Sequence, residues 1–371
     1  MPAVTNDLLQ AIDASDFTRA STQFKKKLEK GSDAWDIHLS LFPTVQGVLN
    51  PPFINPHLPK MYHIFRDFIP YLTKEDIPSL VQLEITEYAK RPKMEKLPKA
   101  KGVTSFISFR EVELAIDQRD PEKTATLMAT FNSQKGGIEF SRRLLLLGSG
   151  YLDDSLGHSI SCTAPILLEM IERRDQDPWP VLTTLADYFC KGAFHTTPRL
   201  QKLAPFAPED AIKHHLLRAT SGTGIVNLHH TLTVFTIEKV RHFFNKEEYD
   251  HLVAAWIAFL ARKKGEEIKS DLPEAGPIAD YPKFNEVFSR LKTKPVIALL
   301  KGMVASEQSR RRAGRFLIKG VCDLYQGDYN PHYLTGLGST LWVMEKYSNQ
   351  RPIVINAFFQ FLDFFFKGVK P

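Results

Sequence analysis

Twelve histidines are scattered through the 371 residues, and three of them stand three positions before a small hydroxyl residue. His158 precedes Ser161 in HSIS, His230 precedes Thr233 in HTLT, and His332 precedes Thr335 in HYLT. Positions i and i+3 of a helix share a face, so each hydroxyl is expected one turn from its imidazole. A metal-bound histidine needs a neighbour of this kind to hold its second ring nitrogen and fix the tautomer. His57, in NPHLPKMYHIF, is placed differently. It comes just before Pro59, and the rigid X-Pro joint is expected to hold its imidazole at the mouth of a helix. His63, farther along that stretch, is a reserve ligand or a general base. A single histidine near apolar residues is more often a structural group than a ligand, so the pattern counts as a set. In His214–His215 and His229–His230 the neighbours cannot point the same way on a helix. One member of each pair is therefore assigned to an exposed or structural role.

The elements that must position these residues read as helices. Thr73 heads TKEDIPSLVQLEITEYAK with Asp76 three residues on, and Asn245 opens NKEEYDHLVAAWIAFLARKKG with acids in the first turn and bases in the last. TAPILLEMIERR, PWPVLTTLADYF, HTLTVFTIEKVRHFF, PKFNEVFSRL and YLTGLGSTLWVMEKY carry the same apolar spacing. VTSFISF is the best strand candidate, but nothing alternates over enough residues to build a sheet. The expected fold is all-α: helical pairs forming one large globular domain over residues 51–371, preceded by a helical segment over residues 1–50. Proline and glycine mark the joints at Pro51–Pro59, Pro92–Gly102, Gly136–Gly137, Gly148–Gly157, Pro198–Pro208 and Pro273–Pro282. In NAFFQFLDFFFKGVKP, Phe358, Phe361 and Phe365, like Phe359, Leu362 and Phe366, fall at helical spacing. This row should dock into the core or serve a homo-oligomer interface.

Composition narrows the classes. Hydrophobic residues make up 43% and charged residues 24%, the balance of a globular chain rather than a disordered one. Three scattered cysteines (Cys162, Cys190, Cys322) without a C-x-x-C pair argue against a disulfide framework or a common structural zinc site. The N-terminus carries no secretory pattern and no apolar run reaches membrane-spanning length, so the expected compartment is cytoplasmic. The net charge of +6 is spread along the chain, with clusters at Lys25–Lys27 and Arg310–Arg315. Neither cluster is interleaved with aromatics in a nucleic-acid module, and both read as solvated helix faces. Nucleic-acid binding, which would bring a steep salt dependence, is the weakest reading. Arg310–Arg312 could instead attract an anionic substrate. No P-loop, dinucleotide fingerprint, H-E-x-x-H or G-x-S-x-G occurs.

Four blocks carry a family resemblance. NPHLPKMYHIFRDFIPYLTKEDIPSLVQLEITEYAKRP resembles the opening of the questin oxidase-like proteins, where a His-Leu-Pro stretch leads a helix followed by a second, Tyr-bearing one. LGHSISCTAPILLEMIERRDQDPWPVLTTLADYFCKG is similar to that family's histidine-headed helix and the Ala-x-Tyr helix after it. HTLTVFTIEKVRHFFNKEEYDHLVAAWIAFL resembles its His-x-x-Thr helix, and VCDLYQGDYNPHYLTGLG its last helical joint. The blocks keep the family's order over roughly residues 50–340.

The resemblance implies an all-helical oxygenase with non-haem iron held mainly by histidines, active in oxidative ring opening of aromatic polyketides. His57, His158 and His230 match the family's histidines by position. Neutral imidazoles suit Fe(II), and open coordination positions admit O2 and substrate together. One departure stands out: the family carries a further histidine, followed by a lysine, before the last joint. Here that helix reads EQSRRRAGRFLIKGVCDLY, with Lys319 but no histidine, and His332 beyond the joint is either a substitute ligand or a surface or capping histidine.

The combined expectation is an iron-dependent oxygenase acting on an aromatic or polycyclic molecule. Its ligands would be His57, His158, His230 and His332, with His63 and Lys319 catalytic, Ser161 and Thr233 in support, and Tyr62 and Tyr188 lining the pocket. The alternative is a non-catalytic helical binding or assembly protein that has lost part of the metal site.

Overall fold

Carboxylates and amides open helix after helix by satisfying the first unpaired backbone N–H groups. The Ser108 N–H donates to Glu111 Oε2 at 2.7 Å ahead of Phe109–Asp117. Asp120 Oδ1 accepts the Lys123 N–H at 3.0 Å ahead of Pro121–Lys135. Asn245 and Glu248 form a reciprocal box, Asn245 N–H to Glu248 Oε2 at 3.2 Å and Glu248 N–H to Asn245 Oδ1 at 3.0 Å, at the head of Lys246–Ala261. Thr73 and Asp76 pair as expected, the Thr73 N–H donating to Asp76 Oδ2 at 3.0 Å, but one turn early. The helix itself runs Ile77–Lys90. It starts where Pro78 falls in the first turn, the place where a missing N–H costs nothing.

The structure, a computed structural model, describes residues 6–99, 105–174, 176–192, 208–263, 279–325 and 330–369. Among these the fold is all-α, with no strand and only two isolated bridges, Val48 with Lys93 and Asn50 with Phe53. The described end of VTSFISF leads into the helix Phe109–Asp117. Much of the joints expected at 198–208 and 273–282, and part of that at 92–102, lies outside the described residues.

The chain forms two compact units, each drawn from three stretches of sequence. The first comprises Met1–His63, Glu84–Ala204 and Thr236–Ala255. In it, Trp179–Lys191 packs along Pro121–Lys135, and Gly137–Ser149 packs against both His158–Ser161 and Thr163–Glu172. The second comprises Ile64–Leu83, Pro205–Phe235 and Trp256–Pro371. Its centre is Arg351–Gly368, which contacts His332–Lys346, Thr293–Met303 and Pro208–Thr220. The phenylalanine row of that helix is used inside its own unit: Phe358, Phe361, Phe365 and Phe366 are buried, and Phe288 meets the last two at ring distances of 5.9 and 5.0 Å. No helix among the described residues is long and apolar enough to cross a membrane.

Candidate functional site

His57 opens the helix His57–Ile64, with Pro59 in the first turn, so the proline that marks the joint in sequence also fixes where the ring begins. His158 opens the four-residue helix His158–Ser161, and its position depends on close backbone packing. Gly157 turns the chain at φ +79°, a left-handed conformation suited to glycine. The Ser159 N–H donates to Ser155 Oγ at 3.0 Å, and Ser159 Oγ donates to the Gly148 carbonyl at 2.7 Å. Gly148 makes that approach feasible, since a Cβ there would lie 2.7 Å from the Ser159 carbonyl oxygen.

This packing brings two imidazoles together in the first unit. His57 Nε2 and His158 Nε2 lie 2.9 Å apart, both side chains buried and their rings nearly perpendicular. His158 Nδ1 is 2.6 Å from the Ser155 carbonyl. A carbonyl only accepts, so Nδ1 carries the proton and Nε2 presents a lone pair. Burial, aided by the nearby Lys60 charge, pushes the His158 pKa down to about 3, which leaves the ring neutral at pH 7. The Cys162 thiol joins the two rings in a buried group whose three candidate ligand atoms lie within 4.8 Å of one another.

A second pair forms in the other unit. His229 Nε2 and His332 Nε2 are 3.0 Å apart. His229 Nδ1 lies 2.7 Å from the Ile225 carbonyl and His332 Nδ1 2.9 Å from Asn330 Oδ1. That Asn330 oxygen also accepts the His332 backbone N–H at 3.0 Å, which identifies it as the acceptor end of the amide. Both δ nitrogens therefore donate, and two ε lone pairs face each other. Such an arrangement repels unless a cation, a proton or a metal ion, sits between the nitrogens. Two imidazoles bound to one ion through bonds of ~2.0–2.1 Å have nitrogens ~3 Å apart, so both separations match a shared ion, and the 2.9 Å of the first pair also matches a hydrogen bond from His57 to the His158 lone pair.

Other residues singled out in the sequence take different positions. His230 faces Phe259, with ring centroids 4.4 Å apart, while its neighbour His229 makes the pair with His332. Burial first, then Lys263 and Arg218, push the His230 pKa down to about 3. His63 Nδ1 lies 3.1 Å from Glu169 Oε2, and Glu169 also pairs with Arg173. This is an imidazole oriented by a carboxylate, the arrangement of a general base. Lys319 sits 3.1 Å from Asp76 Oδ1, beside Arg315 at 2.6 Å on the same carboxylate. Burial opposes the charge on Asp76, but hydrogen bonds from Arg315, Thr73 and Lys319 hold its pKa well below the usual carboxylate range.

The hydroxyls expected to support the rings mostly bond to helix carbonyls instead: Thr233 to His229 at 2.7 Å and Thr335 to Pro331 at 3.1 Å. Tyr62 stacks on His38 and donates to the Leu39 carbonyl, while Tyr188 is buried against Phe189. Arg310 pairs with Glu345, Arg311 with Glu307, and Arg312 lies over Phe316. One Glu-x-x-His stretch, Glu248 to His251, is also committed: Glu248 pairs with Arg142 and His251 Nε2 meets Ser149 Oγ at 3.0 Å.

Sequence reading missed His229, Cys162 and Lys60. Lys60 is fully buried three residues after His57, and its amine donates to Ser161 Oγ at 3.3 Å. Burial lowers its pKa below the ordinary lysine value, and Cys162 pulls the other way. The available signal was an H-x-x-K spacing on a helix otherwise buried on every side. Fold and site together define an all-helical protein with buried imidazole pairs able to hold a metal ion. Compared with protein family models, curated proteins and solved structures, the chain matches none.

Proposed function

We propose that this protein is a metal-dependent oxygenase, using iron held by histidine and acting on an aromatic or polycyclic small molecule. The observation that carries the reading is the facing of ε nitrogens in buried pairs, His57 with His158 and His229 with His332. Three of the four tautomers fit a metal: Ser155, Ile225 and Asn330 accept from the δ nitrogens of His158, His229 and His332 and leave their ε lone pairs for an ion. The likeness to the questin oxidase-like proteins supplies the choice of iron and of an aromatic polyketide substrate. When bound, ferrous iron supplies the one-electron chemistry that lets O2 react with a closed-shell aromatic molecule. The chain's own part is to bury the rings, seat His57, His158 and His332 at helix starts and His229 one turn inside Ile225–Lys239, and exclude water. His63, oriented by Glu169, is the base that accepts a proton from a substrate hydroxyl.

The test is elemental analysis of protein purified anaerobically without chelators, beside His158→Ala and His229→Ala variants prepared identically. Iron that survives gel filtration in the parent and falls in both variants supports the reading, and O2 consumption with quinones then identifies substrates. Protein that holds no metal and takes up none on addition of Fe(II) sinks it, leaving a non-catalytic helical binding protein.

A further inference from the structure

We infer that Cys162 is a thiolate ligand at the His57–His158 pair, making this a centre of two imidazoles and one sulfur. The inference rests on the reading that this pair holds a metal, and it adds a donor of a different chemical kind. Cys162 is 0% exposed, and its sulfur lies within the same 4.8 Å group as the two imidazole nitrogens. Its placement follows from the backbone. The Cys162 N–H donates to the His158 carbonyl at 3.0 Å, so His158 and Cys162 stand at i and i+4 and their side chains share a face.

Cys162 joins His158–Ser161 to Thr163–Glu172, and burial pushes its thiol up to about 11 against the pull of Lys60 and Ser161, so the sulfur gives up its proton only when a metal ion binds. The neighbouring cation is Lys60, whose charge is coupled to Cys162 and which stands on the helix that His57 opens. With a divalent ion bound, the ion is the main countercharge of the thiolate, and Lys60 adds a second positive charge nearby. The other two cysteines lack this setting: Cys190 donates to Thr124 Oγ1 at 3.3 Å, and Cys322 lies next to Asp323. As the sulfur–metal bond forms, the thiol releases its proton, and no electron transfer is involved. A soft donor of this kind favours iron, cobalt or zinc over magnesium, calcium or manganese.

The test loads reduced, metal-free protein with Co(II) under anaerobic conditions and records near-ultraviolet absorption. The parent, Cys162→Ser and His158→Ala are compared. A sulfur-to-cobalt charge-transfer band in the parent, absent from Cys162→Ser, with cobalt binding at least about tenfold weaker in that variant, is the expected result. Bound cobalt without the band in the parent, or with an unchanged band in Cys162→Ser, overturns the thiolate while leaving the imidazole site standing. Failure of the parent to bind cobalt overturns the metal reading of this pair and the thiolate with it. Should the serine variant misfold, X-ray absorption of the zinc-loaded parent decides the matter without it. One sulfur scatterer at ~2.3 Å supports the proposal, and a shell of nitrogen and oxygen only overturns it.

Discussion

His230 and Lys60 are both buried ionisable side chains, and each affects stability through the charge it cannot comfortably carry. The His230 pKa falls from an ordinary 6.5 to about 3, through burial first and then Lys263 and Arg218. Below pH 6.5 the unfolded chain takes up a proton that the folded chain refuses. The stability contributed by the neutral ring is therefore complete above that pH and is lost as pH falls toward 3, at ~1.4 kcal/mol per unit. His230→Leu should flatten the acid limb by about that slope, measured as urea midpoints of metal-free protein at pH 7, 5 and 4. An unchanged slope would place the acid lability elsewhere. Lys60 pays desolvation with a single hydrogen bond to Ser161. Lys60→Met should therefore raise the stability of metal-free protein by ~1 kcal/mol or more, as replacement of buried charges by apolar side chains often does. A lower urea midpoint for Lys60→Met would contradict this.

The helix Gly137–Ser149 is where backbone packing meets the site. Alanine in place of a helical glycine gains ~1 kcal/mol of propensity, so Gly148→Ala would stabilise an isolated helix. Here the added Cβ would stand 2.7 Å from the Ser159 carbonyl oxygen, a backbone atom that cannot rotate away. Forcing a shift of that kind costs ~1–3 kcal/mol, so the clash outweighs the propensity gain. Gly148→Ala should be less stable overall and should bind metal more weakly, because the displaced segment carries His158. Circular dichroism melts with metal titrations check both effects, and a melting point at or above that of the parent would show that the segment can yield.

Across the molecule, metal should act as a ligand of the folded state. At a free concentration a hundred times its Kd, an ion bound only by the folded chain adds ~2.7 kcal/mol. The thermal midpoint should rise with added Fe(II) or Zn(II), fall back with a chelator, and stay fixed in a His158→Ala, His229→Ala double variant. A midpoint indifferent to metal would count against both pairs. The phenylalanine-rich helix makes a different contribution. With Phe358, Phe361, Phe365 and Phe366 packed within their own unit, it is part of the core.

The helical class was legible in sequence because its causes are local. Asn245 with Glu248, Ser108 with Glu111, and Asp120 before Pro121 each cap a helix within four residues. Local signals also placed His57, through Pro59, and His158, through the turn at Gly157. Tertiary packing decided the rest. Adjacent helical residues point ~100° apart, so sequence could not tell His229 from His230; the approach of His332 selected His229 and left His230 against Phe259. Thr233 and Thr335 turned to helix carbonyls because a hydroxyl buried beside its own backbone bonds the nearest acceptor. Lys319 answered to Asp76, some 240 positions away, and although Lys60 follows His57 and Cys162 follows His158 at helical spacing, only packing brought those two helices together. Sequence determined which backbone would form and which side chains could do chemistry. Only the folded chain determined which of them meet, because meeting depends on long-range packing that each residue's immediate neighbours do not specify.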